Sequence, residues 1–217
     1  ALLLPAVVGL VRPLAERGLG YLTDRRLLEL GNLNHPALKD LIVQAPGTYH
    51  HSVILGTLVE AAAEAAGASP LLAKVCAYYH DLGKLRNPLY FAENQRTENR
   101  HEQLAPSMSA LIIKRHVADG VELAGRWKLP PPVIDAIAQH HGTRFVSWFW
   151  AKARKAAEEG NGPWETPAAV DEALFRYAGP RPQSREAALL MIADVAEASA
   201  RGLTQPTPER LVQVVQK

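Results

Sequence analysis

The sequence predicts an all-α protein, and three observations carry that reading. Its 217 residues are 47% apolar but only 6% aromatic, and the apolar share is dominated by Ala, Leu and Val, which fill helix interiors more readily than strands. Proline, glycine and capping residues recur at intervals that suit helices of ordinary length. No segment shows the alternation of a half-buried strand. The length suits one compact domain, placed at 24–217. The preceding stretch, 1–23, reads as a packing arm or as a juxtamembrane linker; its apolar run is broken by Pro5 and falls short of the roughly 20 residues that span a bilayer.

The elements follow in order. Residues 24–33 suit a short helix, and His35-Pro36 opens another that ends before Pro46-Gly47. Thr48 is expected to cap a long helix to about Ala66, with Gly67 as its stop. Ser69-Pro70 pairs an N-cap with proline at the first helical position and starts a helix that reaches His80-Asp81 and stops near Gly83. The polar stretch 86–105 reads as a long loop and a candidate lid, since long loops in compact domains are often functional. Helices are then expected at 106–117 and 119–127, from Pro130-Pro131-Pro132 to His141-Gly142, and at 144–159. After a loop at 161–166, a shorter helix is expected at 167–177, one capped by Ser184 and running to about Arg201, and a last one from Thr207-Pro208.

A net charge of +2 from 24 basic and 22 acidic side chains makes no nucleic-acid footprint, so no DNA partner is expected and any phosphate recognition must be local. The single cysteine, Cys76, excludes a disulfide framework and a cysteine-based zinc site, which points to a reducing cytoplasm.

Residues three and four apart on a helix share a face. His51 is in phase with Ile54, Leu55, Leu58 and Val59, and His80 with Ala73, Cys76 and Ala77. His116 is in phase with Ile112 and Ile113, the pair His140 and His141 with Val133, Ile134 and Ile137, and Asp194 with Leu190, Met191 and Ala198. Five helices thus each aim a histidine or an acid at the core. An unpartnered buried polar group costs on the order of 1 to 3 kcal/mol. The economical arrangement has these groups facing one another around cations, which neutralise carboxylates and take imidazole lone pairs. Such ligands suit iron, manganese, cobalt, nickel or zinc without choosing among them.

His80-Asp81-Leu82-Gly83-Lys84 matches the signature of HD phosphohydrolases, and its companions add specificity. Pro46-Gly47-Thr48-Tyr49-His50-His51-Ser52, Phe91-Ala92-Glu93-Asn94-Gln95, Asp119-Gly120-Val121-Glu122-Leu123-Ala124 and Gln139-His140-His141-Gly142-Thr143 accompany it in this order. Together they resemble the cytoplasmic HD domain of the seven-transmembrane HD-domain family of bacterial cyclic di-AMP phosphodiesterases, over 24–201. The resemblance implies an HD-domain helical bundle with a buried dinuclear metal site. It implies two divalent ions, iron or manganese, held by His51, His80, Asp81, His116, His140, His141 and Asp194. His51 is chosen over His50 because the family's ligand directly precedes the serine, here Ser52, and because phase turns His51 inward. Asp194 is the best acid candidate on its helix, whereas Asp171 sits in a more polar segment.

The implied reaction opens cyclic di-AMP to linear pApA at the cytoplasmic side of a bacterial membrane, in a membrane-anchored signalling protein whose oligomeric state stays open. Two ions sharing Asp81 would activate a water and stabilise charge on the attacking and leaving oxygens of an in-line displacement, which makes Asp81 a catalytic residue. Lys84, one turn after His80, either reaches a substrate phosphate, as a catalytic and substrate-binding residue, or is a solvated lysine at a helix C-terminus. Tyr78, Tyr79 and Tyr90 are candidates for contacting the nucleotide, Tyr78 and Tyr90 foremost. His35 and His101 read as structural or exposed, and His50 as a neighbour that binds no metal. Trp148, Phe149 and Trp150 are expected to pack on one side, with solvated charges on the other. The alternative substrates are cyclic di-GMP, ppGpp or a deoxynucleoside triphosphate. Against cyclic di-GMP, Gly142 is followed by Thr143-Arg144 instead of Tyr-Pro. A non-catalytic nucleotide-binding module and an oxygen-binding di-iron protein are the readings from other classes.

Overall fold

Proline opens most of the helices of this protein. In the computed structural model, which describes residues 22–95, 98–203 and 207–215 together with Gly9 and Val11, the helices are α1 (Asp24–Leu30), α2 (Pro36–Gln44), α3 (Pro46–Ala65), α4 (Pro70–Tyr79), α5 (Pro106–Arg126), α6 (Pro131–Gln139), α7 (Ser147–Glu158), α8 (Arg185–Arg201) and α9 (Pro208–Val215). A proline at the first positions costs no hydrogen bond, because the N–H it lacks would have no intrahelical partner. Ser69 and Ser184 cap α4 and α8 by accepting from the N–H groups of Leu72 and Ala187. Most of the arm at 1–23 lies outside the described residues. The protein is all-α; among the described residues the extended pairing is limited to one isolated bridge, Phe145 with Arg176.

Helices α3, α4, α6 and α8 close around Leu55, Val59, Cys76, Ile137 and Leu190, with Tyr79 buried among them. Each large aliphatic group so buried contributes roughly 1.5 to 3 kcal/mol. The Tyr79 hydroxyl donates to the Leu30 carbonyl at 2.8 Å, which keeps its polar end satisfied. A second cluster joins α5 and α7 through Ala110, Phe149, Ala153 and Phe175. Phe149 is buried there and Trp148 is 75% exposed.

Four expectations need correction. Residues 106–126 form one helix, not two: Asp119 is a buried residue within α5 whose carboxylate accepts from Arg115 at 3.0 Å. Residues 167–177 hold no helix but two short 3-10 turns, Pro167–Ala169 and Glu172–Phe175. The Asp171 side chain accepts from the Ala173 N–H and so starts the second turn separately. Thr48 does not cap α3. That end is capped from a distance by Asn94, whose Oδ1 accepts from the N–H groups of Gly47 (2.9 Å) and Thr48 (3.2 Å) while its Nδ2 donates to Thr48 Oγ1 (2.8 Å). The segment 86–105 therefore carries a structural anchor, and 3-10 turns at Leu82–Arg86, Pro88–Tyr90, Ala92–Asn94 and Arg100–Gln103 run along it. On α3, Ile54 and Leu58 are 40% and 48% exposed, so of the residues in phase with His51 only Leu55 and Val59 share its buried face.

The turn after α4 lies directly on α5. A Cβ on Gly83 would stand 1.8 Å from the His116 carbonyl oxygen, a distance no side chain tolerates. Glycine at 83 is what lets the His80-Asp81 corner approach His116.

Candidate metal centre

The long helix α3 delivers His51, and α4 ends at His80 with Asp81 directly after it. Helix α5 delivers His116, α6 ends at His140 and His141, and α8 delivers Asp194. His51, His80, Asp81, His116, His140 and Asp194 are buried and His141 is half-buried. Asp81 lies at the centre. Its Oδ1 is 3.3 Å from His116 Nε2 and 3.8 Å from His140 Nε2, while its Oδ2 is 3.1 Å from His80 Nε2 and 3.9 Å from His51 Nε2. Asp194 faces it across the cavity, with Oδ1 3.2 Å from His51 Nε2 and Oδ2 4.0 Å from His141 Nδ1.

The tautomers of three rings follow from their other nitrogen. Nδ1 of His80, His116 and His140 lies 2.7, 2.5 and 2.7 Å from the carbonyl oxygens of Ala77, Ile113 and Ile137. A carbonyl only accepts, so each Nδ1 donates, and in the neutral ring each Nε2 keeps its lone pair. Those lone pairs point inward, and His116 Nε2 stands 3.2 Å from His140 Nε2. Two acceptors at that distance repel unless something positive lies between them. Buried Nε2 of His80 and Nδ1 of His141 have no hydrogen-bond partner either. Ligands at about 2.0 to 2.2 Å from a cation stand roughly 3 Å from one another, close to these separations. Three overlapping sets bring donor atoms within 4.8 Å: His116, His140 and His141; His51, His80 and Asp194; and His80, Asp81 and His140. The donor set fits divalent cations.

His51 is held differently. Its Nδ1 is 3.0 Å from Glu197 Oε2, and Glu197 pairs in turn with Arg201 at 3.4 Å. The two atoms stand at ion-pair distance without hydrogen-bond geometry, and a carboxylate in that place behind a metal-type imidazole can orient the ring. The electrostatics match this picture. Burial opposes ionisation of Asp81, but the positive charge of His80, Lys84 and His116 outweighs it and holds the carboxyl well below its usual range. Asp194 is likewise lowered against its burial, by the hydrogen bond to His51 and by His80. Burial pushes His140 down to about 3 and lowers His116 and His141, each further depressed by neighbouring positive charge. His80 goes up: burial lowers it, and Asp81 more than compensates.

Lys84 is not a solvated lysine. Its Nζ sits 2.7 Å from Asp81 Oδ2 and 2.6 Å from Glu93 Oε1, and these two acids raise its pKa against the effect of burial. Glu93 Oε1 also accepts from the Thr48 hydroxyl at 3.0 Å. Tyr78 packs against Gly56 between α3 and α4, beside Lys74 and Glu60. Tyr90 turns to His101 and Arg100. Among the described residues neither ring stacks on a cluster histidine. His50 is exposed, His35 caps α2, and His101 is buried with Nε2 2.8 Å from the Tyr90 carbonyl oxygen.

Three residues at the site were not anticipated from sequence. Glu197 lies three residues after Asp194 on α8, a spacing that puts both acids on one face. Glu93 stands in the Phe91-Ala92-Glu93-Asn94-Gln95 motif without a role read for it, and Tyr177 carries no such signal. The Tyr177 ring stacks on His141, centroids 4.4 Å apart and planes at 32°.

Residues 48–199 match the HD domain family. The cyclic-di-AMP phosphodiesterase PgpH of Bacillus subtilis is 45% identical over 210 residues, which cover 96% of this chain and 28% of that protein. PgpH of Listeria monocytogenes is 43% identical over 209 residues, with the same shares of the two chains. The crystal structure of the L. monocytogenes PgpH HD domain in complex with cyclic di-AMP superposes with a TM-score of 0.76 at 42% identity, covering 84% of this chain and 80% of that one. The chain thus spans about 28% of the length of the curated relatives it matches, and among its described residues no helix is long and apolar enough to cross a membrane. On the family model and on its likeness to the solved domain alike, the chain belongs to the HD domain family, in the branch represented by the HD domain of PgpH.

Proposed function

We propose that this chain is a metal-dependent phosphodiesterase that hydrolyses one phosphodiester bond of cyclic di-AMP to give linear pApA, as the cytoplasmic catalytic part of a membrane-anchored signalling protein. The observation that carries the reading is the ring of Nε2 lone pairs from His80, His116 and His140, which converge on Asp81 with their Nδ1 atoms already engaged. The seven ligands are His51, His80, Asp81, His116, His140, His141 and Asp194, and the cations are two divalent ions, iron or manganese. When bound, such ions supply Lewis acidity and lower the pKa of a water for attack at phosphorus.

The chain's own residues do the rest. Asp81 presents Oδ1 to His116 and His140 and Oδ2 to His80 and His51, the disposition of a carboxylate that serves two positions at once. The carbonyl-held imidazoles of His80, His116 and His140 keep their ligand directions fixed, so little reorganisation is needed during reaction. Lys84, held cationic by Asp81 and Glu93, offsets part of the negative charge of these two acids and fixes the Asp81 carboxylate beside the ligand histidines.

Hydrolysis of labelled cyclic di-AMP by the manganese-loaded chain, challenged with excess unlabelled cyclic di-AMP, cyclic di-GMP, ppGpp or dGTP, tests the substrate. The expected result is competition by cyclic di-AMP well ahead of the rest; stronger competition by one of the others would move the assignment to that nucleotide.

A further inference from the structure

Four of the five ligand imidazoles have their outer nitrogen placed by a neighbour. Nδ1 of His80, His116 and His140 donates to a carbonyl, and Nδ1 of His51 faces Glu197 at 3.0 Å. His141 differs. It sits past the end of α6, in the turn where Gly142 takes a φ of 51°. Its Nδ1 is buried without a hydrogen-bond partner, 4.0 Å from Asp194 Oδ2. Among the described residues no carbonyl accepts from its ring. An imidazole without such a bond keeps its torsional freedom, and ordering it when an ion binds costs affinity.

Rings take the place of the missing hydrogen bond. The centroid of His140 lies 4.0 Å from that of His141 with the planes at 43°, and Tyr177 lies at 4.4 Å and 32°. The His116 ring meets it edge-on at 5.1 Å and 84°. Among the described residues the His140 and Tyr177 rings make no contact with each other, so they approach His141 from different sides. His140 and His116 are themselves ligands fixed by carbonyls, which leaves Tyr177 as the ring that serves no ion directly. Its main chain is tied to the turn that carries His141. The Tyr177 N–H donates to the Arg144 carbonyl at 2.9 Å, the Val146 N–H donates to the Phe175 carbonyl at 2.7 Å, and the Arg176 guanidinium donates to the Thr143 carbonyl at 3.2 Å. Phe175, fully buried in the second core, anchors the same segment.

We infer that Tyr177 is a positioning residue: the face of its ring sets the orientation of His141 as a metal ligand and joins the second core to the metal centre. The inference rests on the ligand set of the phosphodiesterase reading. It carries an asymmetry, because His141 shares a donor set with His116 and His140, while the set of His51, His80 and Asp194 does without it. Loss of the ring therefore weakens one ion and spares the other.

The test titrates the metal-stripped chain with manganese in the wild type, Tyr177→Phe and Tyr177→Leu, and reads the ligand field from the visible absorption of cobalt(II) in the same proteins. Phenylalanine keeps the ring, and leucine fills the space without it. Melting of the metal-free proteins checks that each is folded. The wild type is expected to take up two ions in two steps, and Tyr177→Phe to leave both within about twofold. Tyr177→Leu is expected to weaken one step about tenfold, the upper end of what an aromatic pair contributes, to alter the cobalt spectrum, and to spare the other step. Two unchanged steps in Tyr177→Leu, an equal loss in Tyr177→Phe, or both steps falling together with the metal-free melting temperature would overturn the positioning role. Selective loss of one step in a chain that does not hydrolyse cyclic di-AMP keeps Tyr177 in its role and removes the enzymatic reading; hydrolysis with both steps unchanged in Tyr177→Leu does the reverse.

Discussion

His116 and His140 face each other through their Nε2 atoms at 3.2 Å, on helices α5 and α6, with each ring's Nδ1 committed to a carbonyl three residues earlier. Without a cation this contact sets lone pair against lone pair. Metal removal is therefore expected to destabilise the fold as well as abolish turnover. At a free metal concentration a thousandfold above the dissociation constant, binding contributes about 4 kcal/mol, or roughly 8 to 16 °C in melting temperature for a domain of this size. Calorimetric melts with and without chelator check this, and an unchanged melting temperature would mean that the histidines satisfy one another.

Glu197→Gln is expected to weaken metal binding 10- to 100-fold, the usual effect of losing a carboxylate behind a ligating imidazole, because His51 Nδ1 loses its charged partner at 3.0 Å. Competition with a calibrated chelator reads the affinity directly. An affinity within twofold of the wild type would show that Glu197 does not orient His51.

Lys84 and Glu93 form a half-buried pair that ties 86–105 to the HD corner. Lys84→Met leaves Asp81 and Glu93 without their cation, whereas Glu93→Gln leaves Lys84 its contact with Asp81, so the two are expected to cost about 2 to 3 kcal/mol and about 1 kcal/mol, with the double variant losing less than their sum. Urea denaturation of all four proteins in the metal-free state gives the coupling. Additive losses would deny the pairing.

The metal-free domain is expected to lose stability as the pH falls from about 6.5, the ordinary histidine value. His116, His140 and His141 are lowered in the fold, by burial first, so below that pH the unfolded chain binds more protons than the folded one. Asp81 and Asp194 are lowered too, and their contribution disappears at still lower pH. His80, raised in the fold, acts in the opposite sense: its contribution is full below 6.5 and lost as the pH rises through its folded value. Three lowered histidines outweigh one raised one, and each net proton is worth about 1.4 kcal/mol per pH unit. Urea midpoints at pH 7.5, 6 and 5 measure the trend; a midpoint that rises on acidification would contradict it.

Much of the fold was legible because its signals are local. Ser69, Ser184 and the helix-opening prolines act within one turn of themselves, and the phase of His51, His80, His116 and Asp194 follows from neighbours three and four residues away. What was missed depends on partners distant in the chain. Asn94 caps α3 from 46 residues away, and Glu93 has meaning only beside Lys84 and Thr48. Asp119 and Gly120 look like a helix boundary until Gly83 is packed against them, because the close approach that needs glycine is tertiary. Residues 167–177 carry an alanine-rich pattern, yet Asp171 turns the chain locally and Phe175 is drawn into the second core. Tyr177 then reaches His141 from a segment with no periodicity to read.

The most direct measurement takes the chain stripped of metal, reloads it with manganese or iron, and follows cyclic di-AMP by chromatography, with Asp81→Asn as the matched control. The expected result is linear pApA that appears only in the reloaded wild type, with about two ions bound per chain, as a two-metal site requires. Two bound ions with cyclic di-AMP left intact, or product formed equally by Asp81→Asn, would contradict a phosphodiesterase centred on Asp81.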